Sequence, residues 1–460
     1  MTVAEKLTSR LVEILGPHRV VSAPEELAAH AIDGLTPQAV VCPESAEQVA
    51  EVVRLAAGEK LAVQAFGSRS KCEMGMPAAR CDVAIDMTGM REVAHYDAGD
   101  LTLSVDAGLP LRELEAYLSK HGQFLPLAVP CFESTTAGGA LASGIDSALR
   151  QQYGSARDFL IGAEFVDGTG QLCKSGGRVV KNVTGYDLHK LLIGSLGTLG
   201  VITRLNFRTY PFPAASGACA VIFDRAENAV PFCGSVAKKG LPLAALEILD
   251  PGTVGILRAI LQRGEASAAA LLTDGTWCVY CSFEGTEAVV RRITEEVKRA
   301  TAEQGGGRCE VLDAAAGEQL GGMLREAYEW LRWSSGAVCL QRIALPEITA
   351  VTVAELGRIA EAALLRHALL ARGAGVVYFA TMAEAEDDAS LDLLARAALK
   401  AKEIARRKNG QATVLHAPLA VKTKLAAARV AQPDEPLQLR LKRAFDPANL
   451  FAPGRIVGGI

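Results

Sequence analysis

Three glycine-rich segments between residues 66 and 200 carry the residue types best suited to chemistry in this sequence. The first is FGSRSK at residues 66–71, which follows an apolar run that predicts a β-strand. Its backbone N–H groups, together with Arg69 and Lys71, could surround a pyrophosphate, because successive N–H groups in a turn form a concave anion site. The same turn could also be an ordinary loop, so taken alone it leaves both interpretations open.

The other two segments place small residues at short spacing. Residues 133–139 lead into 140–144, where hydroxyl groups at 134, 135 and 136 could hydrogen-bond a flat ligand that approaches the backbone. Residues 181–187 are followed by 194–200, in which glycine recurs at every third position. Such spacing is unfavourable inside a helix, and it indicates a backbone segment that packs closely against another group. Together, the three segments indicate an extended ligand that carries phosphate.

Local signatures of other enzyme classes do not occur in the sequence. There is no G-x-G-x-x-G after a strand, no P-loop, no H-E-x-x-H and no G-x-S-x-G. The seven histidines lack the spacing of metal ligands, and the eleven cysteines are scattered apart from Cys278 and Cys281. That pair lies on a predicted strand and should point to opposite faces. We therefore expect reduced core thiols and no metal site.

Composition sets the broader limits. The chain has 460 residues, 52 acidic and 48 basic, and half are apolar, so we expect two domains or one with a large insertion. The near-neutral charge argues against nucleic acid as a main partner. No uncharged apolar run reaches the roughly 18 residues that a membrane span needs, and the N-terminus predicts an amphipathic helix, not a signal peptide. We expect a soluble cytoplasmic protein without a transmembrane segment.

The elements that must position the glycine segments follow from the apolar pattern. Ser45 and Gln48 form a capping-box signature, so a helix should begin there and break at Gly58. Pro110 should open a helix that stops near Gly122. Strands are predicted at 61–66, 81–87, 101–107, 159–166, 171–174 and 201–210, with a hairpin between the fourth and fifth and a stop at 211–213.

The segment from 214 to about 410 differs from the rest of the chain in its composition and in its pattern of apolar residues. Alanine-rich stretches predict helices, and short apolar runs between them predict strands. Their alternation indicates a second domain built on an open sheet covered on one side. The predicted helices are 287–304, 350–371 and 390–407, and the predicted strands include 338–345 and 375–381.

Several motifs occur in an order that resembles a known family. They are PESAEQVAEVV from residue 43, TTAGG at 135–139, YGSARD at 153–158, GYDLHKLLIGSLGTLGVIT at 185–203 and the terminal FDP and PGRI. In this order they resemble the FAD-linked oxidases of the vanillyl-alcohol oxidase and p-cresol methylhydroxylase type. Within that family, residues 177–188 are most similar to the FAD-binding subunit of bacterial glycolate oxidases. The resemblance covers residues 36–213 and 440–460.

The resemblance implies an α+β fold with an interrupted FAD-binding domain. Residues 1–213, with a core at 36–213, would form two FAD-binding subdomains, 214–425 an α+β cap domain for substrate, and 426–460 a tail that returns to the FAD domain. The residues implied to bind FAD are Phe66, Gly67, Ser68, Arg69, Ser70, Lys71, Pro130, Thr135, Thr136, Ala137, Gly138, Gly139, Ser143, Gly144, Gly154, Arg157, Asp158, Asn182, Gly185, Tyr186, Gly200, Val201, Ile202 and Arg455.

The sequence departs from the family pattern at three points. Members with covalent flavin have a histidine in the first glycine turn, and none stands at 66–71, so we expect noncovalent FAD. The larger catalytic flavoproteins have Glu where Leu196 stands. They also carry a histidine- and acid-rich metal motif in the cap, which does not occur between 214 and 440. The chain thus lacks their device for holding a hydroxy-acid carboxylate and accepting its hydroxyl proton.

These features imply an FAD-binding subunit of a glycolate oxidase-like 2-hydroxyacid dehydrogenase complex. A second catalytic flavoprotein and an iron–sulfur subunit would be its partners. The chain would lie in the cytoplasm, or at the inner membrane through these partners. One alternative is a self-contained FAD-dependent dehydrogenase of D-lactate or glycolate; another is a cofactor-free scaffold subunit. In the self-contained enzyme Arg342 would anchor the carboxylate and His416 would be the base, although the residues alone favour a structural ion pair for Arg342 and a core histidine for His416.

Overall fold

The structure, a computed structural model, describes residues 3–178, 185–264, 266–334, 336–373, 375–428 and 435–455. The described residues form two compact units. The first is drawn from residues 1–146, 155–211 and 429–460, and the second from 147–154 and 212–428. Both units are therefore discontinuous in sequence, because residues 147–154 belong to the second unit. Asn182 lies outside the described residues.

Helices and strands are both abundant, which confirms the predicted α+β class. The helices are α1 (Val3–Leu15), α2 (Pro24–Ala28), α3 (Ala46–Glu59), α4 (Leu111–Ser119), α5 (Ala137–Ser143), α6 (Arg150–Tyr153), α7 (Ala156–Phe159), α8 (Ala226–Lys238), α9 (Pro251–Arg263), α10 (Glu287–Gln304), α11 (Ala314–Arg325), α12 (Ala327–Arg332), α13 (Ala350–Ala362), α14 (Asp388–Arg407), α15 (Leu419–Ala427) and α16 (Glu435–Phe445). The strands are β1 (Val20–Val21), β2 (Ala39–Val41), β3 (Val63–Phe66), β4 (Val83–Asp86), β5 (Val93–Asp97), β6 (Thr102–Asp106), β7 (Gln123–Phe124), β8 (Leu160–Val166), β9 (Leu172–Gly176), β10 (Val201–Arg208), β11 (Tyr210–Pro211), β12 (Ala215–Phe223), β13 (Leu243–Leu249), β14 (Trp277–Gly285), β15 (Gly307–Leu312), β16 (Ala337–Ala344), β17 (Arg366–Arg372), β18 (Val376–Ala383) and β19 (Gln411–His416).

The first unit contains two larger sheets. One has the order β1-β2-β4-β3, with β4 parallel to both β2 and β3. The other has the order β5-β6-β10-β8-β9 and is antiparallel throughout. Helices α1 and α3 bury apolar side chains such as Leu11 and Val53 against the first sheet, and α4 and α5 pack against the second. The first glycine segment follows β3 and the 194–200 loop precedes β10, whereas the segment at 133–144 leads into α5.

The C-terminal tail adds to the edge of the first sheet. Val63 N donates to Leu450 O at 2.8 Å, and Ala452 N donates to Val63 O at 2.9 Å. The tail therefore runs beside β3, the strand that leads directly into the 66–71 turn.

The second unit is built on one eight-stranded antiparallel sheet with the order β15-β12-β14-β13-β17-β18-β16-β19. Alternate side chains of these strands face a large apolar core, which also takes in buried residues of α8, α10, α13 and α14. Cys281 belongs to this core and Cys278 does not, which agrees with the prediction that the two thiols point to opposite faces.

Helices also cover part of the opposite face, so the prediction of a sheet covered on one side was wrong. Tyr280 Oη donates to Gly317 O of α11 at 3.3 Å, and Arg372 Nη2 donates to Leu324 O of α11 at 2.8 Å. Both side chains point away from the large core, because their neighbours on each strand belong to it. The alanine-rich sequence of α11 did not reveal which face the helix would cover.

Two predicted boundaries differ from the structure. Helix α3 continues through Gly58 and ends at Glu59, where Lys60 adopts a left-handed conformation at φ 56°. The predicted helix 350–371 is α13 followed by β17; Leu364, at φ 55°, separates them. Residues 366–372 instead become a strand, hydrogen-bonded to β13 and β18 on either side. Tertiary pairing here outweighs the helical preference of alanine and leucine.

Among the described residues, no helix is both long enough and apolar enough to cross a membrane.

The second unit contains a buried ion pair whose contribution to stability can be measured. Arg372 Nε donates to Glu247 Oε1 at 2.6 Å, and the two residues are 3% and 0% exposed. Burial raises the pKa of Glu247, and the charge and hydrogen bond of Arg372 oppose that rise. Arg372→Met should lower the free energy of unfolding by about 3–5 kcal/mol, because it leaves a buried carboxyl group without its cation. Urea titration measures this loss.

The matched control is Arg366→Met, which removes an exposed arginine from the same strand. It should change stability by less than about 0.5 kcal/mol. Adding Glu247→Gln to Arg372→Met should recover part of the loss. Equal stability of the Arg372 and Arg366 variants would contradict this account of the pair.

Candidate functional site

A cleft lies in the first unit, where all three glycine segments contribute to its walls. Its lining residues are Gln64, Ala65, Phe66, Gly67, Ser68, Arg69, Ser70, Lys71, Cys72, Met87, Ala107, Thr136, Gly138, Gly139, Ala142, Ser143, Leu196, Gly197, Gly200, Ile202 and Arg455.

The 66–71 turn packs tightly against the start of α5. A Cβ atom on Gly67 would lie 2.2 Å from Thr136 Oγ1, so only glycine fits there without displacement. Thr136 is held in place as the N-cap of α5, because its side chain accepts a hydrogen bond from Gly139 N at 3.2 Å. Arg69 is in the left-handed region at φ 62°, which gives the turn its tight curvature.

Lys71 brings a cation to the cleft. Its side chain is 8% exposed, and Nζ donates to Thr135 Oγ1 and, at 3.2 Å, to Ser70 Oγ. Thr135 Oγ1 donates in turn to Cys131 O at 2.7 Å, so its orientation is fixed by the backbone. The ammonium group is therefore held by neutral hydroxyl groups in a buried position, where a bound anion would interact strongly with it.

The second and third glycine segments are in contact with each other. Gly144 has φ 61°, and a Cβ atom on it would lie 2.6 Å from Gly194 Cα. Gly194 N donates to Leu141 O at 3.0 Å, and Leu196 N donates to Ala142 O at 2.9 Å. The glycine spacing at 194–200 thus lets this loop pack on the end of α5, while Gly197 and Gly200 line the cleft.

One wall of the cleft is apolar. It consists of Met87, Ala107, Ala142, Leu196 and Ile202. Leu196 adopts a left-handed conformation, φ 52°, which is uncommon for a residue with a Cβ atom. Such a wall suits a flat aromatic ring, whereas the 66–71 turn suits charged oxygens.

The tail places Arg455 beside the residues that follow the 66–71 turn. Arg455 is 4% exposed, and its Nη2 donates to Met74 O at 2.9 Å and to Cys72 O. Arg455 thus fixes the chain that leaves Lys71. Burial raises the pKa of the Cys72 thiol to about 11, although the charge of Arg455 opposes the rise, so the thiol stays protonated at neutral pH.

The structure brings about half of the predicted cofactor residues to the cleft. Those lining it are Phe66, Gly67, Ser68, Arg69, Ser70, Lys71, Thr136, Gly138, Gly139, Ser143, Gly200, Ile202 and Arg455. Pro130 and Thr135 lie behind Lys71: Thr135 Oγ1 contacts Lys71 Nζ, and its hydroxyl hydrogen is shared between Cys131 O and Pro130 O, which lies 3.1 Å away. The side chains of Ala137 and Val201 are buried in apolar cores, and Gly144 makes the backbone contact with Gly194.

The remaining predicted residues lie outside the cleft lining. Gly154 ends α6, and Asp158 closes a capping box with Ser155 at the start of α7, where Arg157 is exposed. Gly185 has φ 84°, and Tyr186 is 90% exposed.

The predicted catalytic residues lie on neighbouring strands of the second unit. Arg342 is on β16 and His416 ends β19, where it pairs with Leu340. Arg342 is paired with Tyr378 of β18, and both point away from the large core. The guanidinium group of Arg372 lies 5.3 Å from the Tyr378 ring centre. Arg342 therefore belongs to a row of polar side chains that crosses this face of the sheet.

Several cleft residues were missed by sequence reasoning. Gln64, 5% exposed, is the most informative, because it places a buried polar side chain in the cleft lining. A glutamine in the buried strand AVQAF was a signal that could have found it. Ala65, Cys72, Met87, Ala107 and Ala142 carry no such signal, since they look like ordinary core residues.

The cleft fits FAD in its chemistry. The turn provides a buried cation and hydroxyl groups for phosphate, and the apolar wall and glycine backbone accept a flat ring. Family comparison agrees with this geometry. Residues 37–176 match the FAD binding domain, and residues 213–456 match the C-terminal domain of FAD linked oxidases. The chain belongs to the FAD-linked oxidase family, and FAD is its cofactor.

Relatives of known sequence include subunits and dehydrogenases. The chain is 38% identical to glycolate oxidase subunit GlcE of Escherichia coli over 167 residues, which is 36% of this chain and 47% of GlcE. It is 28% identical to a mitochondrial D-lactate dehydrogenase [cytochrome] of Arabidopsis thaliana over 270 residues, 59% of this chain and 46% of that protein. Identity with the D-lactate dehydrogenase of Archaeoglobus fulgidus is 29% over 267 residues, 56% of this chain and 59% of that enzyme. The alignments span about half the length of these relatives.

Solved structures show the same fold. A 4-ethylphenol oxidase from Gulosibacter chungangensis superposes with a TM-score of 0.77 at 16% identity, covering 98% of this chain and 96% of that one. Substrate-bound p-cresol methylhydroxylase gives a TM-score of 0.76 at 16% identity, with coverage of 98% and 96%. This confirms the predicted resemblance to the p-cresol methylhydroxylase type at the level of fold.

Proposed function

We propose that this chain is the FAD-binding subunit of a glycolate oxidase-like 2-hydroxyacid dehydrogenase complex. In the complex, electrons from glycolate or D-lactate would pass through the flavin to an iron–sulfur partner, and a second flavoprotein would carry out substrate oxidation. The observation that carries the proposal is the cleft with its buried Lys71, in a chain that is 38% identical to GlcE over 167 residues.

Different residues of the cleft would bind different parts of FAD. Bound FAD supplies the capacity to accept a hydride and release electrons singly. Lys71 would neutralise phosphate charge, and the N–H groups of the 66–71 turn would donate to phosphate oxygens. Thr136, Gly138, Gly139 and Ser143 would line the ribityl and ring region. The apolar wall would exclude water from the ring and orient it.

Noncovalent binding is part of the proposal. The 66–71 turn contains no histidine; its cations are Arg69 and Lys71, and Lys71 is hydrogen-bonded to hydroxyl groups. Hydrogen bonds and charge would then hold FAD without a bond to the protein. Acid precipitation should release the flavin into the supernatant.

The subunit role predicts low activity for the isolated chain. With FAD bound and oxygen removed, the purified chain should keep its flavin absorbance when glycolate or D-lactate is added. The reason is that the chain lacks the acid- and histidine-rich cap motif of the larger catalytic flavoproteins. Rapid and complete bleaching by either acid would contradict the subunit role. Buffer alone and dithionite serve as the negative and positive controls.

A self-contained D-2-hydroxyacid dehydrogenase is the second candidate, favoured by the polar row in the second unit. Arg342, Tyr378, Arg372 and Glu247 share one face of the sheet. An arginine in such a row could bind a substrate carboxylate with two parallel hydrogen bonds. Bleaching by D-lactate or glycolate that disappears in Arg342→Met would support this candidate. A colourless chain that does not take up FAD would instead support a cofactor-free scaffold.

A further inference from the structure

A buried lysine joins the tail to the third glycine segment. Lys442 of α16 is 1% exposed, and its Nζ makes three hydrogen bonds: to Thr198 O at 2.8 Å, to Phe451 O at 2.8 Å and to Asp446 Oδ2 at 2.7 Å. Burial lowers the pKa of Lys442, while the hydrogen bond and charge of Asp446 oppose that change. The three N–H donors of the ammonium group are all used.

Asp446 extends the same network along the tail. It is 1% exposed, and its carboxylate accepts from Leu450 N at 2.9 Å and from Phe451 N at 2.7 Å. These bonds fix the turn that places Leu450–Ala452 beside Val63 of β3. A charged pair that is fully hydrogen-bonded in this way is specific in geometry, because losing either partner leaves the other buried and unmatched.

The two carbonyl groups bound by Lys442 belong to two segments that each contribute residues to the cleft lining. Thr198 lies between Gly197 and Gly200, which line the cleft beside Leu196. Phe451 precedes Arg455, whose guanidinium group binds Cys72 O and Met74 O after the 66–71 turn. Neither Lys442 nor Asp446 lines the cleft itself.

We propose that Lys442 and Asp446 are positioning residues for the flavin, setting the distance between the glycine loop at 194–200 and the tail that carries Arg455. The inference rests on FAD binding in the cleft of the first unit. The pair acts through Thr198 and Phe451 and does not touch the cofactor. Its loss should therefore weaken FAD binding and change the environment of the ring, beyond any effect on folding.

The test compares Lys442→Met with Leu11→Ala. Leu11 is fully buried between α1 and the first sheet and does not line the cleft, so its variant reports on loss of stability alone. Titration of the apoprotein with FAD, at a temperature where every variant is folded, should give a Kd at least tenfold higher for Lys442→Met. Leu11→Ala should stay within twofold of the wild-type value. Visible circular dichroism of the saturated proteins should change only in Lys442→Met.

Asp446→Asn is the second variant, for the case in which Lys442→Met does not fold. It keeps an amide oxygen to accept from Leu450 N and removes the charge opposite Lys442, and its Kd for FAD should rise at least threefold. An unchanged Kd and an unchanged dichroism spectrum in the folded variants would overturn the positioning role. A wild-type chain that binds no FAD would overturn both this inference and the proposed function, whereas unchanged binding in the variants would leave the proposed function intact.

Discussion

Replacing Lys71 by methionine should weaken FAD binding by about 2–3 kcal/mol, or roughly 30- to 150-fold in Kd. The ammonium group is held in a buried position by Ser70 and Thr135, so solvent screens it little from an anion in the cleft. Fluorescence titration of the apoprotein with FAD measures the change. The effect should be largest at low salt and remain large at physiological salt.

Stability provides a second readout for the same variant. Methionine is similar in length to lysine and carries no charge, so the apoprotein should unfold at the same or a higher temperature. Lys120→Met, at an exposed position after α4, is the matched control and should leave Kd within twofold. A Kd for Lys71→Met that matches the control would show that Lys71 does not face the phosphates.

Replacing Gly67 by alanine should both destabilise the first unit and close part of the cleft. The added Cβ atom would lie 2.2 Å from Thr136 Oγ1 and 2.8 Å from Thr136 Cγ2, so Thr136 must leave its capping position. We expect a loss of about 2–4 kcal/mol, combining overpacking with the loss of an N-cap. Binding of FAD should fall at least tenfold, because Gly67, Thr136 and Gly139 all line the cleft.

A double-mutant cycle isolates the contact between Gly67 and Thr136. Thr136→Ala alone should cost about 1 kcal/mol as a lost cap. Gly67→Ala combined with Thr136→Ala should cost little more, because the two atoms that collide are gone. Gly58→Ala, in the last turn of α3 with nothing within 4 Å of the added Cβ atom, is the control and should be neutral or stabilising. Additive losses in the cycle would refute the steric explanation.

Much of the first unit follows from local sequence signals. Ser45 caps α3 as its pattern with Gln48 predicts, and its side chain accepts from Gln48 N at 3.2 Å. The hairpin of β8 and β9 and the strand β10 also lie where apolar alternation predicts them. These elements are short-range features, in which a cap, a turn and a period of two residues determine the structure.

Secondary structure is harder to predict from sequence in the second unit, because most of its strands pair with a neighbour on each side. Residues 366–372 are rich in alanine and leucine, so their helical preference is strong, yet they pair on both sides in the sheet. A buried strand between two others lacks the alternation of polar and apolar residues that identifies an exposed one. The sequence pattern therefore predicted one long helix where the structure has a helix and a strand.

The cofactor cleft was predictable in its glycine turns and less so in its walls. Gly67 and Gly138 have the residue type that close backbone approach requires, and both line the cleft. Met87 and Ala107 come from strand ends that are distant in sequence, and nothing in their local pattern distinguishes them from core residues. The 153–158 motif lies outside the cleft lining; Gly154 ends α6, and Ser155 and Asp158 form the capping box of α7.

Titration of the purified apoprotein with FAD, followed by acid precipitation, tests the central claim most directly. The account predicts saturation at one FAD per chain and full recovery of the flavin in the acid supernatant. A chain that remains colourless at saturating FAD would contradict the assignment of the cleft, and flavin retained in the precipitate would contradict noncovalent binding.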